Sequence, residues 1–464
     1  MRLRKGRHLS PQRAEHIIEG AGRILAHTGI KVTDPQALEE LKHKEGIEVR
    51  GDRALIRETA YREFLLRQQG KKIPPDKHGS RLHGEASLYT YHYRDPDAGR
   101  ILEFGREKLG EYAAFVEKAH RRYPLNPVIP GYPTDVPAQL SSLARYQIAA
   151  EHCSGCWPAA PDSVEAAEYM FEMTGVMGQE MTHLPVYMIS PLTLGGDAFD
   201  IVRKFSSRLN SFYTFSMPNM GVTTPMNLSM GLAVVLAEAA GGAVLVELLT
   251  GLQGEIRPNL FPFDFKYFNI AFGTPEKFLY EQAAAELTAY IRGEEPDYSS
   301  TNIHTWGKEP DGRTAMEKGM MIMAGALDGA RRFYCVGTQS LDELFDPLQL
   351  IQDLEAITFA QKILDGIPED EVEDTLLEEM EEGISSGFVC SDRSLDEYRE
   401  YLDASLFSPK DNMQRWMLDG QKTAKDSLQE IYREIQGQPV EYVLEDWKKT
   451  ELDKIFQAAL RHTE

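Results

Sequence analysis

The chain has few cationic side chains for its size. Among 464 residues, 50 are Lys or Arg and 72 are Asp or Glu, so the formal net charge is -22 at pH 7. Proteins that bind nucleic acid depend on a surplus of Lys and Arg that neutralises phosphate groups. The charge balance therefore argues against a nucleic-acid partner.

Cysteine is also scarce, with four in the whole chain. Such sparse use in a long chain is typical of a reducing compartment, and we expect a cytoplasmic protein whose core needs no disulfides. Cys153 and Cys156 form one C-x-x-C motif, but the sequence has no second motif of this kind and no His pair at zinc-site spacing. We interpret both cysteines as packed thiols and predict that the chain binds no metal.

Uncharged apolar runs long enough to span a membrane are missing, except at residues 228–249. This run is rich in Gly and Ala and contains Glu238 and Glu247, which indicates a buried helix of a barrel rather than a membrane span. The basic start "MRLRKGRHLS" lacks the apolar segment of a signal peptide. Glycine-rich phosphate-binding loops are absent as well.

From about residue 125, short β-like runs alternate with helical patterns. Eight such runs predict an α/β protein with a (β/α)8 TIM barrel. They are PVIPG (127–131), GCWPA (155–159), LPVYMIS (184–190), SFYTFSM (211–217), EIRPNLF (255–261), DYSSTNI (297–303), RRFYCVG (331–337) and SGFVC (386–390).

The flanking segments differ from this rhythm. We predict an N-terminal helical segment with a β arm over residues 1–124, the barrel over 125–410, and C-terminal helices over 411–464. The first helix is expected to begin after an N-cap at Ser10 and to end by Gly29. Residues 83–105 alternate and turn like a β-hairpin or an extended arm, and the acidic tract 367–383 indicates a solvated helix.

One stretch stands out at the face where barrel enzymes carry their active sites. "FYTFSMPNMGVTTPMNL" (212–228) reads as a strand that ends in a polar loop, followed by a helix with almost no charge. Because active sites of such barrels lie on the loops after the strands, these polar residues are expected to line a pocket.

Three stretches resemble a known family. They are "SMPNMGVTTPMNLSMGLAVVLAEAAGG" (216–242), "FGTPEKFLYEQAAAELTAYIRG" (272–293) and "PDGRTAMEKGMMIMAGALDGARRFYCVG" (310–337). They are similar to the strand–loop–helix segments of the trimethylamine methyltransferase family, and weaker similarity extends over nearly the whole chain. The resemblance implies a (β/α)8 barrel that moves a methyl group from a methylated amine to the Co(I) of a separate corrinoid protein.

The chain departs from the founding members of that family. It shows no pyrrolysine, and it has "NIHTWGK" (302–308) where many relatives carry a "TDSK"-like run. It is similar instead to the non-pyrrolysine branch, which implies a quaternary amine as substrate. Glycine betaine is the first choice, with proline betaine, carnitine and γ-butyrobetaine as alternatives. The implied partner is a corrinoid protein carrying cobalamin, and we also expect a homo-oligomer.

Demethylation of a quaternary amine requires few catalytic groups from the protein. The nitrogen has no lone pair, the cobalt is the nucleophile, and the leaving group departs as a neutral tertiary amine. The protein therefore needs no nucleophile or general acid of its own, and positioning is the main catalytic contribution. Aromatic faces hold such a cation, at about 0.5–2 kcal/mol for each contact, and carboxylates near it are expected to be few.

Candidate substrate-binding residues follow the predicted strands or lie in the β arm. They are Tyr91, His92, Tyr93, Asn219, Thr223, Arg257, Asn259, Phe261, His304, Trp306 and Gln339. Trp306 offers an aromatic face, and His304 or Arg257 could bind a substrate carboxylate. The alternatives are that His304 and Trp306 belong to the core, that one of Thr223 and Thr224 caps a helix near Pro225, and that the arm residues face solvent.

Two other functions remain open at this point. A barrel lyase or aldolase would need an activated lysine or a carboxylate-bound metal, and Lys266 and Lys308 follow predicted strands. A barrel that binds quaternary amines without catalysis would need no signature residue at all.

Overall fold

A computed structural model describes residues 7–70, 81–86, 89–367, 376–401 and 411–463. Its strands are mostly short. In chain order they are β1 (Ile30–Val32), β2 (Ile47–Arg50), β3 (Arg53–Ile56), β4 (His83–Ala86), β5 (His92–Arg94), β6 (Ile101–Glu103), β7 (Leu125–Asn126), β8 (His183–Tyr187), β9 (Thr193–Leu194), β10 (Ser211–Phe215), β11 (Gln253–Arg257), β12 (Phe263–Asp264), β13 (Asn269–Ile270), β14 (Ser300–Asn302), β15 (Arg332–Val336), β16 (Thr338–Gln339) and β17 (Leu344–Phe345).

Helices make up most of the remaining structure. They are α1 (Pro11–His27), α2 (Pro35–Leu41), α3 (Glu58–Gln68), α4 (Arg106–Ala119), α5 (Ser141–His152), α6 (Val164–Met177), α7 (Asp197–Lys204), α8 (Leu228–Thr250), α9 (Pro275–Arg292), α10 (Gly312–Asp328), α11 (Pro347–Asp365), α12 (Leu376–Ser386), α13 (Asp392–Tyr401), α14 (Met413–Leu418), α15 (Ala424–Gln436) and α16 (Asp446–Thr463). Single 3₁₀ turns lie at Ala138–Leu140, Ser206–Arg208 and Phe388–Cys390.

The parallel strands form a (β/α)8-type barrel. In the described ranges they make two sheets, with the orders β11-β10-β8 and β14-β15-β4-β7. Within these two sheets, the strand that comes last in the chain, β15, pairs in parallel with the one that comes first, β4. This pairing of first with last is the mark of a closed barrel, and the intervening helices place the protein in the predicted α/β class.

Five predicted strands match β8, β10, β11, β14 and β15, and three do not. Residues 127–131 contain no strand but only an isolated bridge from Gly131 to Thr90, 155–159 contain no strand, and 386–390 include a 3₁₀ turn instead. β4, which pairs with β15 and β7, lies within the segment that we assigned to the N-terminal arm, so the predicted boundary at residue 125 divides this sheet; the domain limits stay a prediction. The sequence hid β4 because "HGEA" is polar, although all four residues are buried. The other predicted boundary, at 410, lies outside the described residues.

The flanking segments largely follow the prediction. α1 begins after Ser10, whose side chain accepts a hydrogen bond from the Arg13 backbone N–H. In the arm, β5 and β6 pair as an antiparallel hairpin, and β5 also runs parallel to β17. Helix α15 packs on α4 and α11. The described part of the acidic tract, in α12, is mostly exposed; residues 368–375 lie outside the described ranges.

Helix α8 is buried, as its composition predicts. Its N-cap is Asn227, which accepts from the Met230 backbone N–H, so neither Thr223 nor Thr224 caps it. By length and composition alone this helix could cross a membrane, but 78% of its most apolar window is buried within the fold. Its small residues allow close packing: a Cβ on Gly242 would lie 2.4 Å from Met188 Sδ.

A fully buried ion pair ties α10 to α11. Lys318 Nζ lies 2.6 Å from Asp353 Oδ2, and both side chains are 1% exposed. Lys318 also donates to the Cys335 carbonyl, while Asp353 accepts from the Gly337 backbone N–H. Burial raises the pKa of Asp353, and the lysine charge opposes that rise. The pair thus anchors both helices beneath the end of β15.

We expect Asp353→Asn to lower the free energy of unfolding by about 3–5 kcal/mol, because it leaves the Lys318 charge buried without its partner. Urea unfolding followed by tryptophan fluorescence measures this. The matched control is Asp97→Asn, which breaks the exposed Asp97–Arg433 pair and should change the midpoint little. Equal losses in the two variants would contradict this account of the core.

Candidate active site at the barrel mouth

Three parallel strands end side by side at the mouth of the barrel. Tyr187, Phe215 and Arg257 are aligned in register across β8, β10 and β11. Side chains alternate along a strand, and Thr214 points outward, since its hydroxyl donates to the Ala239 carbonyl of α8. Tyr187, Phe215 and Arg257 therefore face the barrel interior at its carboxyl-terminal rim, where barrel enzymes hold their substrates.

Tyrosine rings crowd the same rim. Tyr132 stacks nearly parallel to Tyr89, with ring centroids 6.4 Å apart, and lies 5.8 Å from the ring of Tyr91. The side chains of Tyr187 and Tyr89 are hydrogen bonded, and the Tyr187 ring meets Phe215 edge-on at 6.3 Å. Burial raises the pKa of Tyr132 to about 12, so its hydroxyl is neutral at physiological pH. The cluster offers several uncharged aromatic faces.

A buried arginine lies against this cluster. The side chain of Arg145, on α5, is fully buried, and its Cζ lies 5.2 Å from the ring centroid of Tyr132 and 6.0 Å from that of Trp157. Its Nε and Nη1 have no hydrogen-bond partner within the part of the chain that the structure describes. A permanently charged group is costly to bury without a partner. The arrangement therefore suits an anionic ligand group beside the tyrosines.

A second arginine and two carboxylates lie on the interior side of the strands. The Cζ of Arg257 lies 3.7 Å from the Tyr213 ring centroid. Glu255 is in register with Tyr213, one layer below the rim. Glu85, on β4, accepts from Asn126 Nδ2 at 3.0 Å. We expected few carboxylates near a bound cation; Glu85 and Glu255 both lie before the strand ends.

A His–Cys–Asp cluster lies near the ends of β14 and β15. His304 Nε2 lies 3.0 Å from Asp342 Oδ1 and 3.2 Å from Cys335 Sγ. The His304 ring packs 4.4 Å from the ring of Phe272. Burial raises the pKa of the Cys335 thiol well above its usual range. Burial raises the pKa of Tyr89, and the Asp342 charge adds to the rise while Arg145 opposes it, so Asp342, Arg145 and Tyr89 lie near the same mouth.

Comparison with known proteins identifies the family. A family model described as trimethylamine methyltransferase (MTTB) matches residues 150–462. The chain belongs to the trimethylamine methyltransferase family. The resemblance seen in the sequence is thus confirmed at the level of the family, while membership of its non-pyrrolysine branch stays a prediction.

Curated relatives in this family are distant. The trimethylamine methyltransferase MttB of Methanosarcina barkeri strain Fusaro is 26% identical over 288 residues, which cover 58% of this chain and 55% of that protein. The Methanosarcina thermophila protein of the same name is 24% identical over 263 residues, covering 54% and 52%. The chain thus spans about half the length of the curated relatives it matches.

Among solved structures, the hydroxylamine complex of MtmB is similar to this chain with a TM-score of 0.46 at 12% identity, covering 91% of this chain and 87% of that one. The monomethylamine methyltransferase MtmB of Methanosarcina barkeri has a TM-score of 0.42 at the same identity and coverage. The fold described above follows from the strand pairing of this chain itself.

Of the candidates in the first half of the chain, Tyr91 joins the tyrosine cluster and the others lie elsewhere. Tyr93 is buried among Phe104 and Tyr112, and His92 pairs with Leu344 through the backbone. Neither contacts the tyrosine cluster through a ring in the described structure. A binding role for these two residues stays a prediction without geometric support.

The polar side chains of the loop after β10 mainly form hydrogen bonds within that loop. The Asn219 side chain donates to the Met217 carbonyl, and Thr223 Oγ1 accepts from the Asn219 backbone N–H. Asn219 Oδ1 is buried without a partner among the described residues, so a ligand could still reach this amide. The loop therefore stabilises its own turn first.

Some of the remaining candidates make contacts within the fold, and others face the mouth. Asn259 accepts from the next backbone N–H, and Phe261 is buried against Phe272. Trp306 donates to the Ile270 carbonyl, and Gln339 is fully buried and donates to Gln349. Their side chains thus have structural contacts, in line with the alternative that we left open for Trp306. His304 and Arg257, in contrast, face the mouth.

The proposed packed thiols fit the structure. Cys153 is fully buried, and its Sγ lies 3.5 Å from the Ala113 carbonyl, while Cys156 Sγ lies 3.9 Å from that of Tyr146. Burial raises the pKa of both thiols, that of Cys156 to about 12. Neither thiol is activated, and no bond joins them.

Sequence reasoning missed the best-placed residues, Tyr89, Tyr132, Arg145 and Tyr187. Tyr187 ends β8, but the predicted strand (184–190) ran three residues further, so the sequence did not place Tyr187 at the strand end that faces the mouth. Tyr132 and Arg145 follow β7, whose two residues give almost no strand signal. The burial of a charged residue within a helix leaves no periodic signal in a single sequence.

The isolation of Arg145 predicts an unusual stability result. We expect Arg145→Met to leave the free energy of unfolding unchanged within about 1 kcal/mol or to raise it. The native charge is buried with no ion pair at hydrogen-bond distance among the described residues, and the Asp162 charge acts on it only without a direct contact. The control is Arg94→Met. Arg94 pairs with buried Asp346 at 3.0 Å, and its loss should cost about 3 kcal/mol. Urea unfolding compares the two; a large loss with Arg145→Met would show that the arginine is structural.

Proposed function

We propose that this chain transfers a methyl group from a quaternary amine that bears a carboxylate to the Co(I) of a separate corrinoid protein. Glycine betaine is the first choice, and other betaines are the alternatives. The observation that carries the proposal is the tyrosine-lined mouth beside Arg145, a buried arginine whose Nε and Nη1 have no hydrogen-bond partner in the described structure. Family membership supports the same class of reaction.

The two halves of a betaine match the two parts of this site. A trimethylammonium group has no hydrogen-bond donor, so aromatic faces such as those of Tyr89, Tyr132 and Tyr187 are its natural partners. A carboxylate accepts charge-assisted hydrogen bonds, which the guanidinium of Arg145 can donate. A ligand that spans both parts would hold its nitrogen near the rim and its carboxylate within the wall of the barrel.

The reaction needs orientation more than chemical activation. The cobalt attacks the methyl carbon, the carbon–nitrogen bond breaks, and its electron pair leaves on the nitrogen as a neutral dimethylamino group. The positive charge on the nitrogen decreases in the transition state, so strong anionic contacts at the methyl groups would oppose the reaction. Neutral rings at the rim, with Glu255 one layer below it, agree with that requirement.

The activity can be measured directly. The purified chain is mixed anaerobically with reduced cobalamin and, in separate reactions, glycine betaine, proline betaine, carnitine, γ-butyrobetaine or trimethylamine. We expect the cob(I)alamin spectrum to change to that of methylcob(III)alamin with a betaine, and the demethylated amine to be detected by mass spectrometry. No spectral change with any amine, together with a melting temperature raised by a betaine, would favour a barrel that only binds its ligand.

Tyr187 allows a matched pair of variants in the same assay. Tyr187→Leu removes the aromatic face and should reduce kcat/KM about tenfold, which corresponds to a cation–π contribution of about 1.4 kcal/mol. Tyr187→Phe keeps the face and loses the hydrogen bond to Tyr89, so it should retain activity within about threefold. Equal losses in both variants would argue against a cation on this ring.

The position of Arg145 leads to a separate prediction about which amines bind. We expect Arg145→Met to raise KM for the betaine at least about tenfold, since a charge-assisted pair is lost. Binding of choline, a quaternary amine without a carboxylate, should strengthen, because the variant removes a buried positive charge that choline cannot pair; calorimetry measures this. Arg433→Met is the comparison variant, because Arg433 is exposed on α15 and pairs with Asp97; it should leave KM unchanged. An effect of equal size on choline and betaine would contradict a carboxylate at Arg145.

A further inference from the structure

We propose that His304, Cys335 and Asp342 form a binding site for a divalent cation of the Zn²⁺ class at the barrel mouth. Their ligating atoms all lie within 4.8 Å of one another. The three residues supply one nitrogen, one sulfur and one oxygen, a donor set that suits Zn²⁺ and not Mg²⁺ or Ca²⁺. This proposal does not rest on the proposed methyl transfer and replaces our expectation of a chain without a metal.

The distances fit the edges of a zinc tetrahedron. Bond lengths of about 2.0 Å to nitrogen and oxygen and about 2.3 Å to sulfur place the ligand atoms about 3.3 Å (N to O) and about 3.6 Å (N to S) apart. In the structure, His304 Nε2 is 3.0 Å from Asp342 Oδ1 and 3.2 Å from Cys335 Sγ. A shift of a few tenths of an ångström would therefore admit the ion.

The geometry also argues against a nucleophilic triad. In a Cys-His-Asp triad the thiol and the carboxylate contact different nitrogens of the imidazole. One nitrogen accepts the thiol proton, and the carboxylate at the other nitrogen orients the ring. Here both approach the same atom, His304 Nε2. His304 Nδ1 is buried and has no hydrogen-bond partner among the described residues. Convergence of three donors on one point is what a metal ion requires.

The backbone at Cys335 is arranged to bring the thiol into the cluster. Cys335 has φ 71°, a left-handed conformation that costs a non-glycine residue free energy. It coincides with a break in the register between β15 and β4, at Tyr334 and Val336. Such bulges turn one side chain toward a site. The Lys318 contact with the Cys335 carbonyl fixes this peptide from below.

Three protein ligands leave a coordination position for water or another ligand. Asp342 is the most exposed of the three, with 29% of its side chain accessible, so the open position is expected on its side of the cluster. A quaternary nitrogen has no lone pair and cannot occupy that position. An oxygen or sulfur donor can do so, which defines the class of ligand that the ion would accept.

Cobalt(II) titration tests the site without any assay of activity. The full chain is freed of metal with a chelator and titrated with Co²⁺ and, separately, with Zn²⁺ in competition. We expect one Co²⁺ per chain with a thiolate-to-cobalt charge-transfer band, which Zn²⁺ abolishes. The band should be absent in Cys335→Ala and retained in Cys156→Ala, the control for the C-x-x-C motif. Asp342→Asn should weaken binding at least about tenfold.

The outcomes that overturn the proposal are equally clear. They are a chain that binds neither ion at millimolar concentration, a band that persists in Cys335→Ala, or a band that disappears in Cys156→Ala. Because Cys335→Ala removes a buried side chain, circular dichroism and the melting temperature of the metal-free variant establish that it folds. If it does not fold, Cys335→Ser takes its place, with loss of the sulfur band expected. Failure of methyl transfer from betaines would leave all these results unaffected.

Discussion

The pairing of β15 with β4 is the contact on which the site depends. Within the two parallel sheets it joins the strand that comes last in the chain to the one that comes first, so residues more than two hundred positions apart reach one rim. Tyr89 comes from the segment after β4, Tyr187 from β8, and Asp342 from the region after β15. Beneath this rim, the Lys318–Asp353 pair holds the Cys335 peptide. The β15–β4 pairing thus brings residues from distant parts of the chain together at the barrel mouth.

The sequence predicted those elements whose pattern is strong. β8, β10, β11, β14 and β15 alternate or are rich in β-branched and aromatic residues, and α1 and α8 have clear caps or composition. β4 has none of these features, because its polar side chains point into a barrel interior that is itself polar; Glu85, for example, bonds to Asn126. Barrel strands with polar interiors break the rule that buried means apolar, and periodicity alone cannot identify them.

The strength of the strand pattern also explains which site residues were found. Arg257 ends β11 and His304 follows β14, so both could be placed at the mouth, because active sites of barrels lie at the carboxyl ends of the strands. Arg145 and Tyr132 could not, because their importance lies in a contact between a loop and a helix that no local pattern encodes. Nor could the cluster of His304, Cys335 and Asp342, since it requires the bulge that turns Cys335 inward. Pairwise geometry, not residue type, defines both features.

The charge of the whole chain bears on the choice of substrate. With a formal net charge of -22, the chain attracts any small cation over a long range, and such attraction does not discriminate among amines. A betaine is neutral overall and gains little from that field, so its selection must come from contacts.

The buried guanidinium of Arg145 can provide this selection. A carboxylate pairs with the guanidinium, whereas a simple tetraalkylammonium leaves it unpaired and adds a second positive charge. Sites with buried polar groups reject ligands that fail to pair them far more strongly than apolar pockets do. The unpaired arginine, more than the aromatic faces, would then separate betaines from the other quaternary amines.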